Sequence, residues 1–234
     1  RVLFRSPYLQ IGLGLSALHT GLLLSIPAAV LIPATLVAPL LGRRLGTVRA
    51  VTASLVTAVA GFGLAGLALL GGGGPGVLAL LVLGLALAAL IGVAFTLLSE
   101  LLVTSAPIQR TGSMTALQDL GSGIGAASGI ALLGSLGSIV YRATLSVSVS
   151  ETVPSSDAAA AGASPGAAVE IADRLDAASR SDLLVSIASS MGLGLQVALI
   201  ATAIITIGAI AVLLHGLREP TPSPATAEGG ARLS

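Results

Sequence analysis

The chain has 234 residues, 54% of them hydrophobic and only 9% charged, where an ordinary soluble domain carries about 25% charged residues. Eleven basic and ten acidic side chains cannot cover a water-soluble protein of this size, and a mean hydropathy of +1.01 leaves few polar residues to help. A net charge of +1 and 2% aromatics exclude both an electrostatic and a base-stacking footprint for nucleic acid.

With no Cys there is no disulfide, thiolate nucleophile or Cys-based metal site. All eleven basic residues are Arg, and Lys, Asn and Trp are absent beside abundant Ala and Gly, as a GC-rich bacterial genome would encode. The chain opens on Arg1-Val2-Leu3-Phe4-Arg5-Ser6 rather than Met. These six residues match the translation of a common sequencing adapter, so residues 1–6 are expected to be a non-native scar ahead of a chain that starts mid-protein.

From there the charges act as punctuation. Uncharged intervals run over residues 6–42, 50–99, 120–141 and 183–217, each longer than the roughly 20 residues that a helix needs to cross a bilayer. The first predicts a stub, Tyr8 to Leu15, a turn at residues 16–20, and a full span over 21–41. Pro27, Pro33 and Pro39 fall inside that span and predict a bent helix, tolerated because it lies among neighbours in a membrane. The second interval is divided by Gly71-Gly72-Gly73-Gly74-Pro75-Gly76, which predicts spans over 50–70 and 77–103. Two more are predicted over 113–141 and 190–216. The apolar runs lack strict alternation and are too long for barrel strands. The predicted fold is therefore all-α: a polytopic membrane helix bundle of five complete transmembrane helices plus a truncated sixth, over residues 7–217.

Arg43, Arg44 and Arg49 share one short loop, Arg110 sits in another, and Arg218 and Arg232 lie near the end, while the Gly-rich turn has none. The positive-inside rule puts these segments, and the C-terminus, in the cytoplasm. Residues 218–234, rich in Pro, Thr and Glu, are predicted to be a disordered cytoplasmic tail. Residues 142–185 are predicted to be an extracellular loop, with a short surface helix over Val169 to Leu184 introduced by Ser164-Pro165.

Two soluble-enzyme patterns fail on context. Gly61-Phe62-Gly63-Leu64-Ala65-Gly66 matches GxGxxG, but it lies inside an apolar span with no preceding strand. Gly162-Ala163-Ser164-Pro165-Gly166 matches GxSxG but lies in an Ala/Ser/Pro-rich loop. The only histidines, His19 and His215, are predicted at opposite membrane faces. No catalytic constellation, metal site or cofactor is therefore expected.

The span after Arg110 is the most informative. Gly121, Gly125 and Gly129 recur every four residues with Ser122, Ala126 and Ser128 between them, a face smooth enough for close helix packing or for sliding. Two acids lie at or within spans. Glu100 is close to its helix end and within reach of loop arginines. Asp119 is about seven residues inside the next helix, roughly 10 Å deep. An ionised carboxylate in hydrocarbon costs about 2.5–3.5 kcal/mol on insertion scales, so it must be paired, protonated or functional. Burial at that depth is expected to raise the pKa of Asp119 into a proton-exchanging range, with Gln118 as its polar neighbour.

Ser105-Ala106-Pro107-Ile108-Gln109-Arg110-Thr111-Gly112, then Ala116-Leu117-Gln118-Asp119, Gly129-Ile130-Ala131-Leu132-Leu133-Gly134-Ser135 and Tyr141-Arg142, resemble the carboxy-terminal half of a fourteen-helix drug:proton antiporter of the major facilitator superfamily. Tyr8-Leu9-Gln10, Leu13-Gly14-Leu15-Ser16 and Pro39-Leu40-Leu41-Gly42-Arg43-Arg44-Leu45-Gly46 resemble the same branch, the last its cytoplasmic gating motif. The sequence departs from multidrug members in having Gln118 and Gly123 where those often place acids. The resemblance implies a bacterial plasma-membrane exporter driven by the proton gradient, which moves lipophilic or cationic small molecules by alternating access and has its N-terminal half missing from this chain. It implies proton coupling at Asp119 with Gln118, and a cytoplasmic gate of Glu100, Arg110, Arg43 and Arg44. A non-transporting membrane scaffold or assembly subunit, or an exporter of an endogenous metabolite, are the other expectations.

Overall fold

The computed structural model describes residues 16–71, 75–105, 111–149 and 155–216. Among these residues there is no strand. Helix α1 (Ala17–Leu45) begins on Ser16, whose hydroxyl accepts the His19 amide, and continues unbroken through Pro27, Pro33 and Pro39. Residues 17–20, predicted as a turn, are thus the first turn of a capped helix, because Ser16 satisfies an amide that the helix start leaves free. The predicted stub lies outside the described residues.

Gly46 alone joins α1 to α2 (Thr47–Ala68), with φ +85°, a region that side chains rarely adopt. A 3-10 turn, Leu69–Gly71, ends α2, and α3 (Pro75–Ala88) opens on a proline that has no amide to lose. Helix α4 (Ile91–Ser105) follows after a two-residue turn. The single predicted span over 77–103 corresponds to one apolar helical stretch, Val77–Ser105, with a short break inside it. The amides of Leu90, Gly92 and Val93 reach back three residues, to Leu87, Ala89 and Leu90, and this tightened turn separates α3 from α4. The break contains no proline, so the sequence does not announce it.

Helices α5 (Thr111–Val149) and α8 (Ala177–Gly216) are 39 and 40 residues long. At 1.5 Å per residue each reaches roughly 60 Å, about twice the hydrocarbon thickness, so both project beyond the bilayer. Two short helices, α6 (Ser155–Ala163) and α7 (Pro165–Ala172), fold against these projections. The residues predicted as an extracellular loop therefore form a helical cap. The predicted helix Val169 to Leu184 is divided at residues 173–176 between α7 and α8. The cap has its own core: Tyr141 and Leu145 from α5, Ala161 from α6, Ala168 and Ile171 from α7, and Leu183, Ile187 and Met191 from α8. The Tyr141 hydroxyl donates to the Ala161 carbonyl at 3.2 Å, and exposed Arg174–Glu170 and Arg180–Asp173 ion pairs lie on its surface.

Among the described residues, five helical stretches are long and apolar enough to cross a membrane: Gly21–Leu45, Thr47–Ala68, Val77–Ser105, Gly112–Ser146 and Ala177–His215. In α2, 44% of the apolar stretch is buried within the chain, whereas in α1 and α5 only 6% is. Helix α2 is accordingly the centre, touching α1, α3, α4 and α8. Its contact with α3 is backbone to backbone: a Cβ on Gly61 would lie 2.4 Å from the Ala88 amide nitrogen, and one on Gly84 2.5 Å from that of Ala65. Gly61, the first glycine of the GxGxxG pattern, is thus a packing residue. Helix α5 meets α8 in the same manner, where a Cβ on Gly194 would lie 2.9 Å from the Gly137 carbonyl oxygen.

Large apolar side chains stand exposed along α1, α5 and α8, among them Leu36, Ile124, Leu132, Ile204 and Val212. That surface is incompatible with water and suited to lipid. Intrahelical bonding agrees, since Thr52, Ser54, Thr57, Thr96, Thr202 and Thr206 each donate their hydroxyl to a carbonyl three or four residues back in the same helix. In lipid a hydroxyl has no other partner at hand.

Candidate functional site

Chain direction sorts the side chains between the two ends of the bundle. The last third of α1, the start of α2, the first half of α4 and the end of α8 share one apolar cluster (Ala38, Ala50, Val51, Leu55, Val93, Ala94 and Leu97, with Ile210 and Leu213 packed on it) at the end opposite the cap. Arg43, Arg44, Arg49 and Glu100 all lie at this end. His215 closes α8 there and His19 opens α1 at the other, so the two histidines are far apart.

Glu100 and Arg43 line one cleft of about 170 Å³, with Pro39, Gly42, Thr47, Leu97, Leu101 and Thr104. Gly42 lies close against α4: a Cβ there would come within 2.9 Å of Leu97 Cδ2, so that side chain would have to shift. The Thr104 hydroxyl is turned back to the Glu100 carbonyl at 2.8 Å, so it does not occupy the Glu100 carboxylate. Arg110, the fourth predicted gate residue, lies outside the described residues. Gly42 belongs to the stretch that resembles a gating motif, but the sequence reading missed Thr47 and Thr104, which carry no charge and give no signal without the fold.

The second part of the site lies across the α4–α5 contact. Gln118 Nε2 donates to Ser99 Oγ, tying the turn of α5 that carries Asp119 to the turn of α4 that carries Glu100. Ser99 was not anticipated from the sequence. It is the residue before Glu100, just as Gln118 precedes Asp119, so the bond sets the two carboxylate-bearing turns side by side.

Asp119 itself is exposed, and its carboxylate has no ion pair or hydrogen bond among the described residues. The expected burial of this group is not provided by this chain. From Gly112 to Leu132, α5 is exposed at almost every position. A Cβ placed on Gly121, Gly125 or Gly129 would meet nothing within 4 Å. The smooth face foreseen from the glycine spacing is therefore present but uncovered, and the close helix approaches within the chain are made by Gly61, Gly84, Gly137 and Gly194 instead.

The Ser164 hydroxyl of the GxSxG pattern accepts the Ala167 amide at 3.2 Å and caps α7, with Pro165 in its first turn. Its oxygen has a structural task.

The fold and its exposed apolar surface define a multi-pass, all-α membrane helix bundle. No protein-family model and no curated protein matches the chain.

Proposed function

We propose that this chain forms one half of a proton-coupled secondary-active exporter, in which Asp119 carries the coupling proton. One observation carries the reading: a carboxylate without a partner among the described residues stands on an uncovered, small-residue face of a helix long and apolar enough to span a membrane. An ionised group facing lipid would cost about 2.5–3.5 kcal/mol, so in the working protein this face lies against other protein or a water-filled path. A partner half supplied from outside the chain, closing on α5, provides both. The stripe of Gly121, Gly125 and Gly129 lets that partner approach closely and shift during alternating access.

The cleft shared by Arg43 and Glu100 serves as a charge-lined gate at the Arg-rich end of the same path, next to the turn that carries Asp119, with Arg44 beside it and Arg110 in the connection that follows α4 in the sequence. By the positive-inside rule this end is cytoplasmic, and the C-terminus with it. Exposed apolar walls and a single deep carboxylate suit lipophilic or cationic cargo, and the composition points to a bacterial plasma membrane.

The test is Asp119→Asn in the complete transporter, assayed in inverted membrane vesicles. The expected result is loss of proton-coupled efflux with normal membrane insertion. Antiport at the wild-type rate would remove Asp119 from the mechanism.

A further inference from the structure

The strongest charged feature is the corner between α1 and α2, which shares Arg43 and Arg44 with the proposed gate and adds Arg49. Arg43 and Arg44 occupy the last turn of α1 and Arg49 the first turn of α2, so three guanidinium groups lie within seven residues, linked through Gly46. All three side chains are exposed, and none forms an ion pair among the described residues. Glu100, which lines the cleft beside Arg43, is the single carboxylate facing this corner among the described residues, and one negative charge against three positive leaves an excess of two.

The local backbone adds to that excess. The first turn of α2 holds no acidic residue and its N-cap, Gly46, has no side chain to accept an amide, so the positive end of the helix dipole points at a site already cationic. Arg49 is on the unfavourable end of its own helix. A cation there is normally offset by an anion nearby, and the chain supplies too few.

The corner also lies where a membrane span ends. The apolar stretch of α1 closes at Leu45 and that of α2 begins at Thr47, which sets the three arginines at the level of lipid headgroups. The planar donor fork of arginine matches a phosphate better than a point charge does. We infer that this corner binds the phosphate of an anionic phospholipid headgroup, with Arg43, Arg44 and Arg49 as its ligands. The inference rests on the membrane spans and not on the transport reading.

The test is native mass spectrometry of the purified full chain in detergent, titrated with phosphatidylglycerol or phosphatidylcholine. Wild type is expected to retain phosphatidylglycerol preferentially, and each Arg→Gln change at 43, 44 or 49 to weaken that preference about fivefold. The Arg43→Lys, Arg44→Lys, Arg49→Lys triple keeps the charge and should keep a reduced preference. Changing Arg142, Arg174 and Arg180 to Gln at the cap should leave it unaltered. Equal retention of both lipids by wild type, a preference that survives removal of all three corner arginines, or equal loss from the cap variant would overturn the proposal. Displacement of the lipid by millimolar inorganic phosphate would assign the corner to free phosphate and overturn the lipid assignment. Should the triple Gln variant fail to fold, Arg49→Gln alone decides: an unchanged preference refutes the site.

Discussion

Glycine illustrates how little a residue type says until its surroundings are known. Gly61 and Gly121 look alike in the sequence, each within an apolar run and each part of a spaced glycine pattern. The first is pressed against backbone atoms of α3 and the second faces open space. Gly61→Ala must push α3 away and is expected to lower stability by about 1–3 kcal/mol. Gly121→Ala should stay within about 0.5 kcal/mol of wild type, because a methyl group there meets nothing and alanine favours helix. Denaturant unfolding of both variants in detergent micelles checks the pair, and the opposite ranking would contradict the packing described. Serine is equally dependent on context: Ser164 completes a sequence pattern for a nucleophile and caps a helix, whereas Ser99 matches no pattern and joins α4 to α5.

Among the elements, α8 shows how a membrane helix is extended into water. Its start is held by Asp176, whose carboxylate accepts the Ser179 amide at 3.4 Å. Hydrogen bonds from the Ser179 side chain and amide hold the Asp176 carboxyl below its ordinary pKa. A group whose pKa is lowered by folding contributes stability above its unfolded pKa, and this contribution fades as the pH falls through the folded value. Asp176→Ala should therefore speed amide exchange over residues 177–180 at neutral pH, with the difference from wild type vanishing in acid. A difference that persists in acid would show that the cap acts by shape alone. The same element marks the limit of legibility in the sequence: the apolar part of α8 is plain from its missing charges, but its first thirteen residues, mixed in character, read as part of an extracellular loop whose surface helix ends at Leu184 rather than as one continuous helix with the span. They are helical because α6 and α7 give them an apolar surface to bury. The split of the third span into α3 and α4 had no signal of its own, for the break contains only Ala89 and Leu90.

For the whole molecule, burial is lopsided. Helix α2 is enclosed on several sides, while the first half of α5 touches α4 only lightly and leaves Asp119 and three glycines uncovered. These 234 residues hold no Cys, so a thiol placed on this face competes with no other from this chain. In the proposed complete transporter, with any Cys outside this chain replaced, Gly125→Cys is expected to react with a water-soluble maleimide, since the thiolate that reacts needs water. Ile204→Cys, on an exposed apolar stretch of α8, should not react. Equal protection of both would mean that lipid covers α5, and the aqueous path proposed along it would have to be abandoned.

The amino-acid sequence alone determined the class of molecule and the number of spans. Lipid admits few charges and leaves no backbone group unpaired, so long uncharged runs must be helices that cross it. Which face of each helix meets protein was decided by the tertiary structure. In a soluble helix the polar side points outward and betrays the buried one; here lipid and core are equally apolar, and that contrast is lost. Steric fit at Gly61, Gly84, Gly137 and Gly194 selects the contacts instead, and only the folded chain reveals it.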